Sequence, residues 1–429
     1  MMVYVLNNQG KPLMPCRPVI ARLVLKQGKA KVKHRTPFTI TLNYELEQEH
    51  IQELPTGLDT GSGTFGAAVT NDQDEVLYLS QVHLRNDIKK KLDQRRQYRR
   101  TRRHRQGRYR PKRFSNRKAS KRKGRLPPTL TSKVQAHIRE LRFISKILPI
   151  SLKDLPIEGG TFDPHALKDP NVLSNHWLYQ KGERYGYENI KCYVRARDKH
   201  TCQLCQGKSQ ESRLECPHLI PKNNGGTAIP ENLIVLCKDC HDQVHNGSKK
   251  LSTRTIKASI SRNIQATQMH VLRSQLTHLF PQAQETLGCI TKIDREALGL
   301  PKTHFFDAVV IASKGQAVTF NHPYVLFKRC VPAGDYQQRK GKRSEHPVPR
   351  GKIQGCKKFD KVRYRGQEYF IKGRMSTGYA ILMNIHGETQ VFDHTPKMAR
   401  MSRLNARKTC VTISIGMNCV RQPMHPPHK

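Results

Sequence analysis

Two cysteine pairs, Cys202-x-x-Cys205 and Cys237-x-x-Cys240, enclose 31 residues and supply four thiolates, a tetrahedral donor set suited to structural zinc. The stretch between them has too few large apolar residues to fold unaided, so the metal is expected to hold it together. Through it run LECPHLIPKNNGGTAIPENLIVLC and CHDQVH: a strand, a glycine-rich turn at Asn223 to Gly226, a second strand through Ile234-Val235-Leu236, and a helix from Asp239. His245 follows His241 by four residues and so shares its helical face. Elsewhere a carboxylate recurs three times at the edge of an apolar run beside a glycine or small residue: Asp59 in GLDTGSG, Glu158 in LPIEGG and Asp307 in HFFDAVVIA. A backbone or a phosphate can come close at such places. Two divalent ions about 4 Å apart need bridging and terminal carboxylates, and in-line phosphodiester hydrolysis uses one ion to ready the water and the other to stabilise the leaving oxygen. Separations of 99 and 149 residues mean that this site exists only if the fold joins three elements. Composition alone does not single out these three among 33 acids.

The elements able to do so read as an α/β layout. Thr56 to Leu84 carries GLDTGSGTFGAAVT and EVLYLSQVHL around the polar turn Asn71-Asp72-Gln73-Asp74, a hairpin pattern. Ser132 to Leu148 has Val134, Ile138, Leu141, Ile144 and Ile147 at core-facing helical spacing, followed by a strand-like Leu155-Pro156-Ile157-Glu158. Met269 to Leu279 and Phe305 to Ala312 resume helical, apolar patterning after the cysteine cluster. The last hundred residues alternate strand candidates, Gln367 to Ile371 and Tyr379 to Ile385, with glycines, which predicts a small β-rich domain.

At 429 residues the chain has room for roughly two to four domains. Its 77 lysines and arginines against 33 acids give a formal net charge of +44, which makes nucleic acid the natural partner. From Lys89 to Arg125 there are 20 basic residues and one acid, Asp93, among 37. Ile88 to Arg105 is predicted helical but too polar to be core, with Arg95, Arg96, Arg99, Arg100, Arg102 and Arg103 over successive faces; Gly107 to Arg125 is predicted loop. The 12 cysteines are too few for a disulfide scaffold. No apolar run approaches the ~20 residues of a membrane span, and the start lacks the order of a secretory signal, so a cytoplasmic, nucleoid-associated protein is expected.

The cysteine-bounded stretch resembles the HNH nuclease family, whose ββα unit holds one catalytic metal. That resemblance implies His218 as general base, Asn232 as structural asparagine and His241 as metal ligand. Where the family has an aspartate or histidine ligand directly before the base, this chain has Pro217, and weak or absent cutting is the expectation. GLDTGS, the later glutamate and H-x-x-D-A resemble the RuvC nuclease with its ribonuclease H fold, which implies Asp59, Glu158 and Asp307 as carboxylates for magnesium or manganese, with His304 activating water. An HNH module inserted between the second and third RuvC segments, with an arginine-rich helix after the first, resembles the transposon-encoded, RNA-guided IscB family, relatives of the CRISPR effector with the same split. PLMP at Pro12 to Pro15 and KFDKVRYRGQEYFIKGR extend the likeness over nearly the whole chain.

The implied organisation is an α/β, ribonuclease H-like (RuvC) domain split in sequence, with an inserted zinc-stapled HNH module and a small β-rich C-terminal domain. Its boundaries are an N-terminal PLMP domain at 1–52, RuvC segments at 53–86, 127–190 and 249–322, a basic bridge at 87–126, the HNH module at 191–248 and a C-terminal domain at 323–429. That last domain is expected to read target-flanking DNA and contact guide RNA, with Arg363, Arg365, Lys372 and Arg374 as candidates; Arg339 to Lys358 is read as basic linker or RNA contact. Guide RNA and double-stranded DNA are the implied partners of a monomer within a ribonucleoprotein, and no membrane is. A guide-free nuclease would keep the same acids with less need of the bridge. A non-catalytic zinc-containing RNA-binding protein would explain the charge and cysteines but not the ordered carboxylates.

Overall fold

The computed structural model describes residues 2–105, 124–152, 155–159, 166, 169–209, 211–224, 226–251, 254–321, 324–332 and 351–417. The chain divides into two compact units, Met1–Gly160 with Val271–Lys429, and Thr161–His270.

The first unit is built on a seven-stranded sheet whose strands lie in the order Gln284–Thr286, Pro156–Glu158, Thr56–Asp59, Thr64–Thr70, Val76–His83, Tyr324–Cys330 and Cys410–Gly416. The first three run parallel, Thr56–Asp59 to Val76–His83 form an antiparallel meander, Tyr324–Cys330 is parallel to Val76–His83, and Cys410–Gly416 closes the edge antiparallel. The GLDTGSGTFGAAVT run is thus two strands, broken at Thr60 to Gly63, and the expected hairpin is the second half of a three-stranded meander. Its turn forms because Asn71 Oδ1 accepts from the Gln73 and Glu75 amides at 3.1 and 2.7 Å and Asp74 takes a left-handed φ of 54°.

Helix His304–Ser313 lies against one face of the sheet, and two glycines permit its approach. A Cβ on Gly57 would come within 2.1 Å of Ala308 O, and one on Gly66 within 1.9 Å of His304 O. Phe305, Phe306, Val309, Ala68, Leu79 and Phe327 pack in the resulting core. Side chains alternate across a strand, so Tyr78 and Ser80 point to the other face, where helix Pro128–Ile144 buries Val134, Ile138, Leu141 and Ile144. Glu140 of that helix is buried with its partners: Lys328 Nζ at 2.8 and 2.9 Å, Tyr78 Oη at 2.6 Å and Ser80 Oγ at 2.7 Å. A buried carboxylate is tolerable only when so fully bonded.

Residues Tyr4–Leu6, Ala30–Arg35 and Phe38–Leu42 form a three-stranded sheet beside helix Pro18–Lys26, and Tyr4 Oη donates to Leu77 O of the large sheet at 3.0 Å. Four antiparallel strands, Lys361–Tyr364, Gln367–Arg374, Ala380–Met383 and Ser402–Asn405, make the late β-rich part. It is not separable at residue 323: Tyr324–Cys330 and Cys410–Gly416 belong to the large sheet, and Phe370, Met383 and Ile385 share the core of Phe305. The boundary expected there is corrected accordingly, since strand pairing rather than chain order defines the unit.

In the second unit, Leu214–Glu215 pairs antiparallel with Leu236–Cys237, and helix Lys238–His245 follows directly. Both strands are shorter than expected, and the pairing continues only as an isolated bridge between His218 and Leu233. Helix Ile190–Arg197, capped by Asn189, ends at Asp198, whose Oδ2 accepts from Val235 N at 2.9 Å and ties helix to strand.

Helix Ile88–Arg105 has the expected bounds. Arg95, Arg96, Arg99 and Arg100 are exposed along it; the side chains of Arg102 and Arg103, residues 107–123 of the expected loop, and residues 339–350 of the later basic stretch lie outside the described residues.

Candidate functional site

Asp59 and Glu158 end adjacent parallel strands and stand directly opposite each other in register, about 4.8 Å apart by ordinary strand spacing. Thr60 Oγ1 donates to Glu158 O at 2.6 Å and locks the two strand ends together. On its other side Glu158 pairs in register with Thr286, after which the chain turns into helix Gly288–Ala297. A Cβ on Gly288 would lie 2.7 Å from Glu158 Oε1, so the carboxylate rests against the first turn of that helix, where unpaired amides favour negative charge.

Thr303 caps the next helix by accepting from Phe306 N at 3.3 Å, and this sets His304 at its first position. His304 Nδ1 lies 2.6 Å from Asp59 Oδ2. One turn on, Asp307 Oδ1 is 2.9 Å from Nε of the buried Arg295. The fold therefore brings Asp59, Glu158, His304 and Asp307 to one end of the sheet. Arg295, Thr291 and Gly288 were not picked out from sequence; the spacing of Thr291 and Arg295, four apart on one helical face, was the signal that could have drawn attention to them.

The electrostatics are strained toward negative charge. Burial, then the charge of Asp59 and to a lesser degree Asp307, pushes Glu158 up to about 7 against a hydrogen bond from Thr291. Burial raises Asp59 despite His304, and burial with Asp59 raises Asp307 despite Arg295. For His304 burial works to lower the value, but the hydrogen bond and charge of Asp59, with Asp307 and Glu158, prevail and raise it. Three hard oxygen donors whose mutual repulsion a cation would relieve fit magnesium or manganese. Among the described residues, the four cysteines are the one group of three or more His, Cys, Asp or Glu whose donor atoms all lie within 4.8 Å of one another. The acidic set is more open and does not meet that limit.

Cys202, Cys205, Cys237 and Cys240 converge, with Cys205 and Cys237 sulfurs 3.8 Å apart. Tetrahedral zinc with bonds of about 2.3 Å puts sulfurs about 3.8 Å from each other, so the cluster fits zinc. Asn232 is fully buried and spent on the loop: Oδ1 accepts from Ile220 N at 2.8 Å, and Nδ2 donates to Thr227 O at 2.8 Å and Ile220 O at 3.1 Å. It is a clamp whose amide ties Ile220 to Thr227 across the loop. His218 Nε2 is buried without a hydrogen-bond partner among the described residues. His241 Nδ1 lies 2.6 Å from Glu215 Oε2, and its Nε2 faces His245 Nε2 at 2.9 Å. Pro217 contributes only its carbonyl, which accepts from Ile234 N at 3.4 Å.

Residues 202–247 match the HNH endonuclease family, and residues 3–182 match the family described as RRXRR protein. The letters of that name are spelled by Arg99-Arg100-Thr101-Arg102-Arg103 in the basic helix. The chain therefore contains an HNH endonuclease domain and an RRXRR domain. Over 67 residues, 16% of its length, it is 30% identical to Anaredoxin of Nostoc sp., covering 86% of that protein, and through this stretch it belongs to the same family. Crystal structures of Streptococcus thermophilus Cas9 with AGGA PAM and with GGAA PAM are 12% and 13% identical to it, at TM-score 0.32, covering 52% of this chain and 31% of each of those chains. The chain spans about a third of their length. No helix among the described residues is long and apolar enough to cross a membrane.

Proposed function

We propose that the chain is an RNA-guided DNA endonuclease of the IscB kind, in which the sheet-borne carboxylates hydrolyse the displaced, non-target strand. The observation that carries this reading is the register of Asp59 opposite Glu158 with His304 bonded to Asp59. A central first strand, an antiparallel meander on one side and two parallel strands on the other support a ribonuclease H-like, RuvC-type domain.

Asp59, Glu158 and Asp307 would hold two magnesium or manganese ions, which when bound supply activation of water and stabilisation of the leaving oxygen. Asp59 orients His304 through Nδ1, which leaves Nε2 to take a proton from the attacking water. The charge of Arg295 beside Asp307 works against the rise that burial and Asp59 impose on that carboxyl.

In the HNH domain, His218 is the general base for the guide-paired strand, Asn232 shapes its loop, His241 is the metal ligand, and the four cysteines hold structural zinc. Pro217 leaves that metal short of a ligand, so a nick in the non-target strand is the main product. Guide RNA lies along Arg95, Arg96, Arg99, Arg100, Arg102 and Arg103, whose forks grip phosphates without reading bases. A monomer in a cytoplasmic ribonucleoprotein is the working form.

The test is cleavage of a duplex with different labels on its strands, in magnesium, with and without co-expressed RNA. Nicking of the non-target strand that needs RNA and is lost in Asp59→Ala but kept in His218→Ala supports the proposal. Cleavage without RNA favours a guide-free nuclease, and RNA binding with no Asp59-dependent cleavage favours a non-catalytic binding protein.

A further inference from the structure

Cys330 ends the strand Tyr324–Cys330, Cys410 begins the strand Cys410–Gly416, and the two stand opposite each other in register with their sulfurs 3.4 Å apart. Just beyond them Val331 N donates to Thr409 O at 2.9 Å, so the cysteines occupy a non-hydrogen-bonded position of the antiparallel ladder. Cα atoms in such a pair lie about 4.5 Å apart, within the roughly 4.4–6.8 Å that a disulfide spans. The two thiols are unequal. Cys330 is buried, whereas Cys410 is half-buried and lines a cleft of about 150 Å³ beside helix Pro128–Ile144. The hydrogen bond from Cys330 lowers the Cys410 thiol against its burial and the charge of Glu140, with Lys328 and Arg139 assisting; the same bond, then burial, raises Cys330. Cys410 is thus the accessible, thiolate-prone sulfur and Cys330 the partner behind it. Between the two in the chain lie all four strands of the late sheet, and among the described residues the edge strand Cys410–Gly416 has Tyr324–Cys330 as its one neighbour in the large sheet.

We propose that Cys330 and Cys410 form a redox-sensitive pair whose cross-strand disulfide fastens this edge strand, and with it the neck of the late sheet, to the large sheet. The Cys410 thiolate attacks one sulfur of a small-molecule disulfide such as oxidised glutathione, forming a mixed disulfide and releasing one glutathione thiolate. Cys330 then gives up its proton to solvent, attacks the Cys410 sulfur and displaces the second glutathione thiolate. Two protein thiols are oxidised and one glutathione disulfide is reduced to two thiols. The bond joins residues 80 apart in the chain, a separation at which a cross-link strongly restricts the unfolded state. Disulfides in a reducing compartment are usually transient and redox-sensing, and an edge strand, paired on one side only, has most to gain from one. The pair stands whether or not the acid cluster cuts DNA.

To test this, the full-length protein, loaded with zinc, is equilibrated in glutathione buffers from fully reduced to fully oxidised, quenched with acid, alkylated and mapped by mass spectrometry, with amide hydrogen exchange followed in parallel. The expected result is a linked peptide pair containing Cys330 and Cys410 that reverses with excess reduced glutathione, together with severalfold slower exchange in residues 411–416 of the oxidised form. In Cys410→Ser both changes should vanish; a slowing that survives there belongs to other thiols, the zinc-fit cluster among them, and overturns the proposal. Cys330 and Cys410 alkylated at every buffer ratio, or carrying only separate glutathione adducts, would overturn the disulfide. A disulfide that leaves exchange in 411–416 unchanged would overturn the fastening role.

Discussion

In the large sheet, Asp59 meets Glu158 because two parallel strands far apart in the chain pair in register, and Asp307 and His304 arrive on a helix fitted against two glycines. The cysteine cluster draws its ligands from the turn of Cys202 and Cys205 and from the junction of strand Leu236–Cys237 with helix Lys238–His245, around a small core of Cys202, Leu236, Cys237, Cys240 and a few half-buried neighbours, next to which Val194, Leu233 and Val235 form another. One site is made by the fold; the other makes the fold around it. The acid cluster should therefore keep its shape without metal while carrying electrostatic strain, and the HNH domain should lose its shape without zinc.

The largest expected effect follows from that contrast. Structural zinc in small domains supplies an apparent ~10–16 kcal/mol, more than so small a core replaces. Cys237→Ser should release zinc and expose the second unit to protease, while Met1–Gly160 with Val271–Lys429 stays resistant. Zinc content and limited proteolysis measure both; a second unit that stays resistant after losing its metal would remove the distinction between the two regions.

Next in size is Gly66→Ala. The added Cβ meets His304 O at 1.9 Å, a backbone atom that cannot rotate away, so strain of about 1–3 kcal/mol or more is expected, together with a displaced His304 and reduced nicking. Gly63→Ala is the control, because nothing lies within 4 Å of its Cβ position. Thermal melts of the two should differ clearly; equal melts would show that the helix does not depend on this close approach.

Smaller and reversible is the dependence on pH. Glu158 has a folded value of about 7 against 4.5 unfolded. Its protonated form therefore stabilises the folded state, fully below about 4.5, and the contribution is lost as pH rises through about 7. His304, also raised, acts in the same direction: its pairing with Asp59 helps below the unfolded value of 6.5 and is lost as pH rises through the folded one. Without metal the melting temperature of the sheet unit should fall between about pH 5 and 8, less so in Glu158→Gln. Saturating magnesium should flatten the fall by holding the carboxylate ionised; a slope indifferent to magnesium would argue that Glu158 is not a ligand.

Local patterns were readable in the sequence where local physics decides them. The apolar spacing of Val134, Ile138, Leu141 and Ile144 marks a buried helix face, and the charge of Ile88–Arg105 marks an exposed one. What sequence spacing does not encode is pairing: nothing in Gln284–Thr286 says that it will flank Glu158, or in Cys410–Gly416 that it will close the sheet. For the same reason the carboxylates were singled out by likeness and not by composition, and Arg295 escaped notice because its role exists only once its helix meets His304–Ser313. Asn232 too was singled out by likeness, although the bonds it makes, to Ile220 and Thr227, are local ones.

The smallest and most discriminating change is Pro217→Asp. The HNH domain has its cysteine cluster, its Asn232 clamp and the proposed base, His218, whose Nε2 has no hydrogen-bond partner among the described residues. His241 is already oriented by Glu215 through Nδ1. On the proposed reading the site lacks a second ligand beside His218, and Pro217 enters the pairing only through its carbonyl, which accepts from Ile234 N, so an aspartate there disturbs little backbone pairing. Target-strand nicking should rise by about tenfold or more, the scale on which a metal site responds to one ligand or its support, while non-target nicking stays the same. If the target strand is cut no faster in Pro217→Asp or Pro217→His, the shortage of a ligand is not what limits this domain, and the Glu215, His241 and His245 cluster becomes the place to look for its metal.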